Sequence, residues 1–408
     1  MQRAGSAGIR RPRLLVLNQY YWPGYEATAH LLHELCSQLV SEFDVTVITG
    51  MLHLPGVKPG ITYADGVKVV RVGSTAYERS RLGRRGLNYL TYLARALVAG
   101  IRSERPDVIL CWTDPPMVAD VGLVLARRFR VPLVVASQDV FPEIAVELNR
   151  LTQPFLVGVL RKLVHFYLAR ADRVVAIGQT MRSRLQEKGA PAERLRVIPN
   201  WVDTTRLRPE PRDNDWARAH GLDDKFVVMH SGNVGHAQNL DMLVRASTLL
   251  RDLDDLAIVI IGTGARHAEL VGLAQRLETD AVRFLPYQPR DVLGSSLSSA
   301  DVHVVGLAKG LSGYVVPSRV YGIMAAGRPL IVAAEQSSET VQIVQSTGAG
   351  VVVEPGRVDL LAAALRDAHA GRYDLAEMGR RARAYAEEEA DRTVAVGRYR
   401  DVLHEVLQ

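Results

Sequence analysis

Phe226-Val227-Val228-Met229-His230 runs straight into Ser231-Gly232-Asn233-Val234-Gly235-His236-Ala237-Gln238-Asn239, and a helical pattern follows. The short apolar run reads as a buried parallel strand. The glycines after it read as a tight strand-to-helix turn, where backbone can approach a ligand closely and a helix N-terminus favours an anion. Working outward, the same unit recurs. Strands are expected downstream at 257–261 (AIVII), 301–305 (DVHVV) and 329–333 (PLIVA). Upstream they are expected at 14–18 (LLVLN), 45–49 (VTVIT), 107–112 (DVILCW), 132–136 (PLVVA) and 173–177 (RVVAI). Helical stretches separate them; Leu31, Leu32, Leu35 and Leu39 share one helical face. Strand–helix alternation of this kind predicts an α/β fold with parallel sheets covered on both faces.

Residues 203–215 (DTTRLRPEPRDND) are polar and proline-containing, and they part the two series as a linker would. A chain of 408 residues also exceeds one ordinary core. The division predicted is residues 1–205 as one Rossmann-like, doubly wound half and 206–385 as another. Within 386–408, a last helix at about 393–407 packs back on the first half. Ligands of such sheets sit outside the carboxyl ends of the strands. Two facing sheets therefore make a cleft, and the loops after each strand line it.

Hydrophobic residues make up 48% of the chain, enough for two cores, which excludes global disorder. The two cysteines, Cys36 and Cys111, are too far apart to suggest a disulfide framework or a zinc site. No apolar run reaches the roughly 20 residues of a membrane span, and the opening MQRAGSAGIRRPR lacks the apolar centre of a signal peptide. A cytoplasmic location is expected. The net charge is +6, and residues 1–105 alone hold 14 Lys or Arg against 7 Asp or Glu. Arg79, Arg81, Arg84 and Arg85 precede the apolar 87–93 (LNYLTYL). This stretch is of the kind that rests on an anionic membrane, and a solvated helix face is the equally weighted alternative. Nucleic acid is not an expected partner, because the aromatic-and-basic stripe of a single-strand reader is missing.

Residues 315–329 (VVPSRVYGIMAAGRP) carry the most specific chemistry. Pro317 and Ser318 are expected to open a helix, with Ser318 as its cap. The amides of Arg319 and Val320 would then face an anion, and the Arg319 side chain adds a fixed positive charge. The competing reading is an ordinary capped core helix. Other signals are weak. Asp213-Asn214-Asp215 has the DxD spacing of a metal site but no strand before it. Gly262-Thr263-Gly264 lacks the third glycine of a dinucleotide fingerprint. His30 and His33 stand without a carboxylate cluster. Neither a metal nor an organic cofactor is expected.

These motifs together resemble family 4 of the glycosyltransferases, which have the GT-B fold, and within it the capsule, O-antigen and colanic-acid branch with its fucosamine-transferase-like members. The matching segments are 19–27 (QYYWPGYEA), 137–143 (SQDVFPE), 171–177 (ADRVVAI), 197–203 (VIPNWVD), the GNVGHAQ loop, 284–289 (FLPYQP) and 315–329. The resemblance implies roles. Gly24, with Tyr25 and Glu26, would approach the donor phosphates and acceptor. Asp139, beside Gln138, would face the transferred sugar. Gly232, Asn233, Gly235 and Gln238 would form the phosphate loop, with Ser318, Arg319 and Val320 opposite. Gly262, Gly264, Tyr287 and Gln288 would border the nucleoside, Tyr287 and Gln288 partly through main-chain groups, and Glu339 would lie on the sugar side. The chain departs from the family in two places. Asn233 and Gln238 stand where many members have Arg and Lys; Tyr314 and Gly322 stand where many have glutamates. The ribose contact is therefore unassigned.

The implied activity is transfer of a sugar, with retention and without metal, from a nucleotide-sugar (a UDP-sugar first) to a hydroxyl. The acceptor would be a lipid-linked or small glycan in cell-surface polysaccharide assembly, at the inner face of the membrane. A sugar-nucleotide epimerase and a non-enzymatic binder of anionic polymer are the alternatives.

Overall fold

The computed structural model of the protein describes residues 10–24, 27–52, 56–75 and 82–408, the side chains of 27 and 82–85 excepted. The expectations placed on Tyr25, Glu26, Arg79 and Arg81, and on the side chains of Arg84 and Arg85, lie outside the described residues.

The first half is built on β1 (Arg13–Leu17), β2 (Asp44–Thr49), β3 (Gly60–Ala64), β4 (Val67–Arg71), β5 (Val108–Trp112), β6 (Leu133–Ser137), β7 (Arg173–Ala176) and β8 (Leu195–Val197). They form one sheet in the order β3-β4-β2-β1-β5-β6-β7-β8, parallel except for the β3–β4 pair. The second half has β9 (Phe226–Ser231), β10 (Leu256–Ile261), β11 (Val282–Leu285), β12 (Val302–Gly306), β13 (Leu330–Ala333) and β14 (Gly350–Val353). These make a separate, wholly parallel sheet, β11-β10-β9-β12-β13-β14. The order reverses direction at β1/β5 and at β9/β12, which is where such sheets open a crevice. Every strand read from an apolar run is present. The strands not anticipated are short: the β3–β4 hairpin, turned by Asp65 and Gly66 at positive φ, and the strands β8, β11 and β14.

Strand alternation splits the first core cleanly. Leu15 and Leu17 face a layer of helices at 82–102, 118–129 and 154–168; Leu14 and Val16 face helix Ala27–Leu39 on the other side. The helix Arg392–Glu405 joins that second layer. Its Tyr399 ring stands 6.2 Å from Trp112 and 6.0 Å from Trp201, and Glu405 accepts from Arg173 and Arg196 at 2.8 and 2.6 Å.

The chain thus crosses between halves twice, and the crossings are fastened to each other. Val202 donates to Ala390 O at 3.0 Å, and Arg392 donates back to Val202 O at 2.9 Å. Asp391 accepts from the Thr204 hydroxyl at 2.6 Å. The Arg383 guanidinium then forks to the carbonyls of Thr204, Leu207 and Ala325 at 2.9, 2.8 and 2.6 Å. Arg383→Ala leaves those part-buried carbonyls without their charged donor. We expect about 2 kcal/mol of lost stability in thermal unfolding. Arg383→Lys should recover less than half, because an ammonium lacks the planar fork. An unchanged midpoint in the alanine variant would mean that water substitutes for the guanidinium there.

Candidate active site

The loops that follow β9 and β10 lie backbone against backbone. Gly232 donates to Ile261 O at 3.0 Å and Val234 to Thr263 O at 2.9 Å. The contact needs glycine: a Cβ on Gly262, where φ is +127°, would fall 2.0 Å from Gly232 O, and one on Gly264 would fall 2.3 Å from Val234 O. Gly306, ending β12, has no room for a side chain either, since its Cβ would lie 2.1 Å from Gln238 O. Three strand ends therefore converge on one glycine-rich shelf. Within it the Gln238 side-chain oxygen accepts from Gly235 N at 2.9 Å, closing the turn His236–Gln238. Asn233 stays exposed at the rim.

Arg319 reaches this shelf from the opposite side. A Cβ on Gly232 would lie 3.5 Å from its Cδ. One Nη donates to Gly306 O at 3.0 Å, and Nε is buried without a partner. The guanidinium makes no ion pair among the described residues. Burial lowers its pKa to about 10, so it stays charged at neutral pH. Beneath it lies His230, wholly buried and held well below the ordinary imidazole value by burial first and by the Arg319 charge second. A part-buried cation served by one carbonyl is a poor structural device. It suits an anion, and a cation without an ion pair among the described residues, set against a glycine-rich turn, is a candidate functional group. His230 was not singled out by sequence, since a histidine closing an apolar strand carries no signal of what lies above it.

The surroundings of Arg319 correct two expectations. Ser318 does not cap the helix Arg319–Ala325: its backbone is already helical (φ −61°, ψ −24°) and its side chain makes no capping bond. A side-chain cap requires an extended residue at that point. The Val320 amide is not free either; it donates to Pro317 O at 3.2 Å, because the turn begins one residue before the helix proper. Val320 is buried. The positive character of this corner therefore comes from the Arg319 side chain and its amide, not from an open helix end.

Two further residues are placed with occupied side chains. Gln288 accepts from the Trp216 indole at 2.9 Å and donates to Pro286 O at 2.8 Å, so its side chain is held in place and its main chain is the freer partner for a base. Tyr287 beside it is 69% exposed at the carboxyl end of β11. Glu339 spans the cleft: its carboxylate accepts from both the amide and the hydroxyl of Thr180, each at 2.9 Å. In this arrangement it clasps the halves together.

The first half meets the shelf through the segment after β6. Val140 donates to Tyr314 O at 2.9 Å, which sets exposed Asp139 beside the loop that leads to Arg319. Gln138 is buried; its carbonyl accepts from Asn200 at 3.1 Å, while its own amide nitrogen and Asn200 Oδ1 lack partners. Gly24 is buried with its amide on Tyr21 O at 3.0 Å. Arg71, not foreseen, ties that loop down by donating to Gly50 O and Trp22 O at 2.8 and 3.0 Å. Nothing in the sequence marks it, because the strand it closes, Val67–Arg71, is interrupted by Lys68 and is not written as an unbroken apolar run.

The DxD-like triplet is otherwise engaged. Asn214 caps the helix Asp215–Ala219, and Asp213 and Asp215 pair with Arg218. Among the described residues no group of three or more His, Cys, Asp or Glu is placed to hold a metal ion.

Comparison with known proteins agrees with the architecture. A family profile described as a glycosyl transferase 4-like domain matches residues 27–201, and one described as glycosyl transferases group 1 matches 213–388. The chain is 26% identical over 342 residues to a probable glycosyltransferase, WbjE, of Pseudomonas aeruginosa, covering 83% of this chain and 84% of that one. It is 32% identical over 205 residues to the putative colanic acid biosynthesis glycosyl transferase WcaI of Escherichia coli, about half of each chain (49% and 50%). In structure it superposes on Anabaena HepE, solved with UDP and glucose, with a TM-score of 0.73 at 18% identity over 97% of this chain and 100% of that one. It superposes on WaaG, a glycosyltransferase of lipopolysaccharide biosynthesis, with a TM-score of 0.70 at 14% identity, over 95% and 99%. The chain belongs to the GT-B glycosyltransferases, with a glycosyl transferase 4-like domain followed by a group 1 domain.

Proposed function

We propose that the protein transfers a sugar from a nucleotide-sugar, a UDP-sugar in the first instance, to a hydroxyl of a lipid-linked saccharide during cell-surface polysaccharide assembly. The observation that carries the donor side of this reading is the unpaired Arg319 guanidinium held against Gly232. A diphosphate laid on the glycine shelf would supply the missing counter-charge. Tyr287, with the main chain of Gln288, borders the space left for the base. The UDP found with HepE and the colanic-acid role given for WcaI lend support to the nucleotide and to the pathway class.

The reaction is read as retaining and metal-free. The bond from the anomeric carbon to the leaving phosphate oxygen breaks while the acceptor oxygen attacks the same face. The hydroxyl proton passes to that phosphate oxygen. Asp139 orients the sugar, and Arg319 stabilises the charge that grows on the departing diphosphate, as a preorganised electrostatic donor does.

The test is thermal unfolding with a panel of UDP-, GDP- and dTDP-sugars. A specific donor at about 100 times its dissociation constant should add roughly 2.7 kcal/mol of stability. A flat response across the panel would contradict the reading.

A further inference from the structure

The helix Pro154–Leu168 (PFLVGVLRKLVHFYL) is apolar nearly all round. Val157, Leu160, Val164, Tyr167 and Leu168 are buried on the first half's sheet. Its outer side, which a globular domain normally makes polar, instead exposes Phe155, Leu156, Val159, Leu163 and Phe166, with Phe155 at 86%. Neighbouring helices continue the patch on the same layer, Val124 on Val118–Phe129 and Leu90 and Val98 on Leu82–Arg102. Single exposed apolar residues are ordinary; five along one side of one helix, with more on two helices of the same layer, mark a docking surface.

The charge on this layer names the occupant. The three helices carry eight Lys or Arg (four, two and two) against one acid, Asp120. Burial raises the Asp120 carboxyl to about 7, which weakens even that negative charge. Exposed Arg127, Arg128, Lys162 and Arg170 make no ion pair among the described residues. Two of these sit over the patch itself: the Arg170 guanidinium lies 3.8 Å and that of Arg127 5.3 Å from the Phe166 ring. Apolar side chains ringed by unpaired cations suit the interface of an anionic bilayer, where aliphatic and aromatic groups enter and Arg and Lys meet headgroups.

We propose that the outer face of helix Pro154–Leu168, with its two neighbours, is the surface by which this protein lies on an anionic membrane. The helix is braced to the active-site segment. Glu143, which opens the short helix after Asp139, pairs with Arg161 at 3.0 Å and with Lys188 at 2.6 Å. Docking this face would hold the segment that carries Asp139 near the bilayer, where a lipid-linked acceptor is presented. The inference deepens the acceptor part of the proposed function and rests on it only for its use.

The experiment is cosedimentation of the full chain with vesicles of phosphatidylglycerol and phosphatidylcholine, and of phosphatidylcholine alone, at low and high salt. The protein should pellet with the anionic vesicles and be released by salt. Phe155→Ser with Leu163→Ser should lower partitioning by roughly tenfold per side chain. Lys162→Gln with Arg127→Gln should lower it by about fivefold per charge. The nucleotide-sugar thermal shift should persist in every variant, so loss of vesicle binding and failure of the donor reading are told apart. If Leu163→Ser disturbs the fold, Phe155→Ser alone serves, because that ring touches little. Undiminished vesicle binding by the serine variant overturns the proposal, as does absence of binding by the native chain. Sedimentation as a dimer that Phe155→Ser dissolves, without vesicle binding, assigns the face to a second copy instead.

Discussion

Arg319→Ala is expected to fold normally and to turn over donor roughly 10²–10³-fold more slowly, the scale of removing one electrostatic donor from a transition state. The normal fold follows from the contacts. Arg319 supports one carbonyl, that of Gly306, and no carboxylate among the described residues. Losing that single charge-assisted bond costs about 1.5 kcal/mol, and removing a part-buried charge offsets some of it. The catalytic loss follows from the phosphate loop, where Asn233 and Gln238 bring no charge and the Val320 amide is already bonded. On the proposed donor placement, Arg319 is then the main source of positive charge at the leaving group. Arg319→Lys should recover only part of the rate, since it keeps the charge and loses the fork. Melting temperature, donor affinity and turnover measured on the same samples decide the matter. A destabilised variant with full turnover per folded molecule would make Arg319 a packing residue.

Gly262→Ala is expected to lower turnover about 10²-fold while leaving both sheets in place. The added Cβ would meet Gly232 O at 2.0 Å, and φ at +127° is closed to alanine. Neither neighbour is the end of a flexible side chain, so the two loops must part by more than 1 Å, roughly the misplacement that costs such a factor in rate. Circular dichroism should stay near that of the native chain, because Ile258 and Ile260 pack in one core with Val228, Leu270 and Val304, and Val259 in another with Met229 and Trp216. Native turnover in Gly262→Ala would show that the shelf does not carry the donor.

Much of this was legible because buried parallel strands are written as unbroken apolar runs. Val108-Ile109-Leu110-Cys111, Leu133-Val134-Val135-Ala136 and Leu256-Ala257-Ile258-Val259-Ile260 are buried along their whole length, and the sequence writes each as an apolar run without a polar break. Edge strands such as Val282–Leu285 are half-exposed and polar in part, so they have no comparable signature. At the site, the glycines could be read as close approaches, but residue type alone does not report backbone angle. Ser318 looks like a cap in sequence and sits in a helical conformation. Side-chain commitments made over long separations were equally hidden: Glu339 bonds Thr180, 159 positions away, and Gln288 bonds Trp216, 72 positions away. The outer face of Pro154–Leu168 was hidden for a related reason. A helix apolar on all sides reads as buried until its neighbours show which side they leave open.

The most direct test of the account is a comparison of UDP with uridine in the native protein and in Arg319→Ala, by calorimetry under one buffer and salt condition. The base and ribose contacts are common to both ligands, so the affinity gap between them reports the diphosphate alone. Arg319→Ala should shrink this gap by about tenfold to a hundredfold, the value of a charge-assisted bond, and leave uridine binding unchanged. An unchanged gap, or an equal loss for uridine and UDP, would contradict the placement of the diphosphate between Arg319 and the glycine shelf.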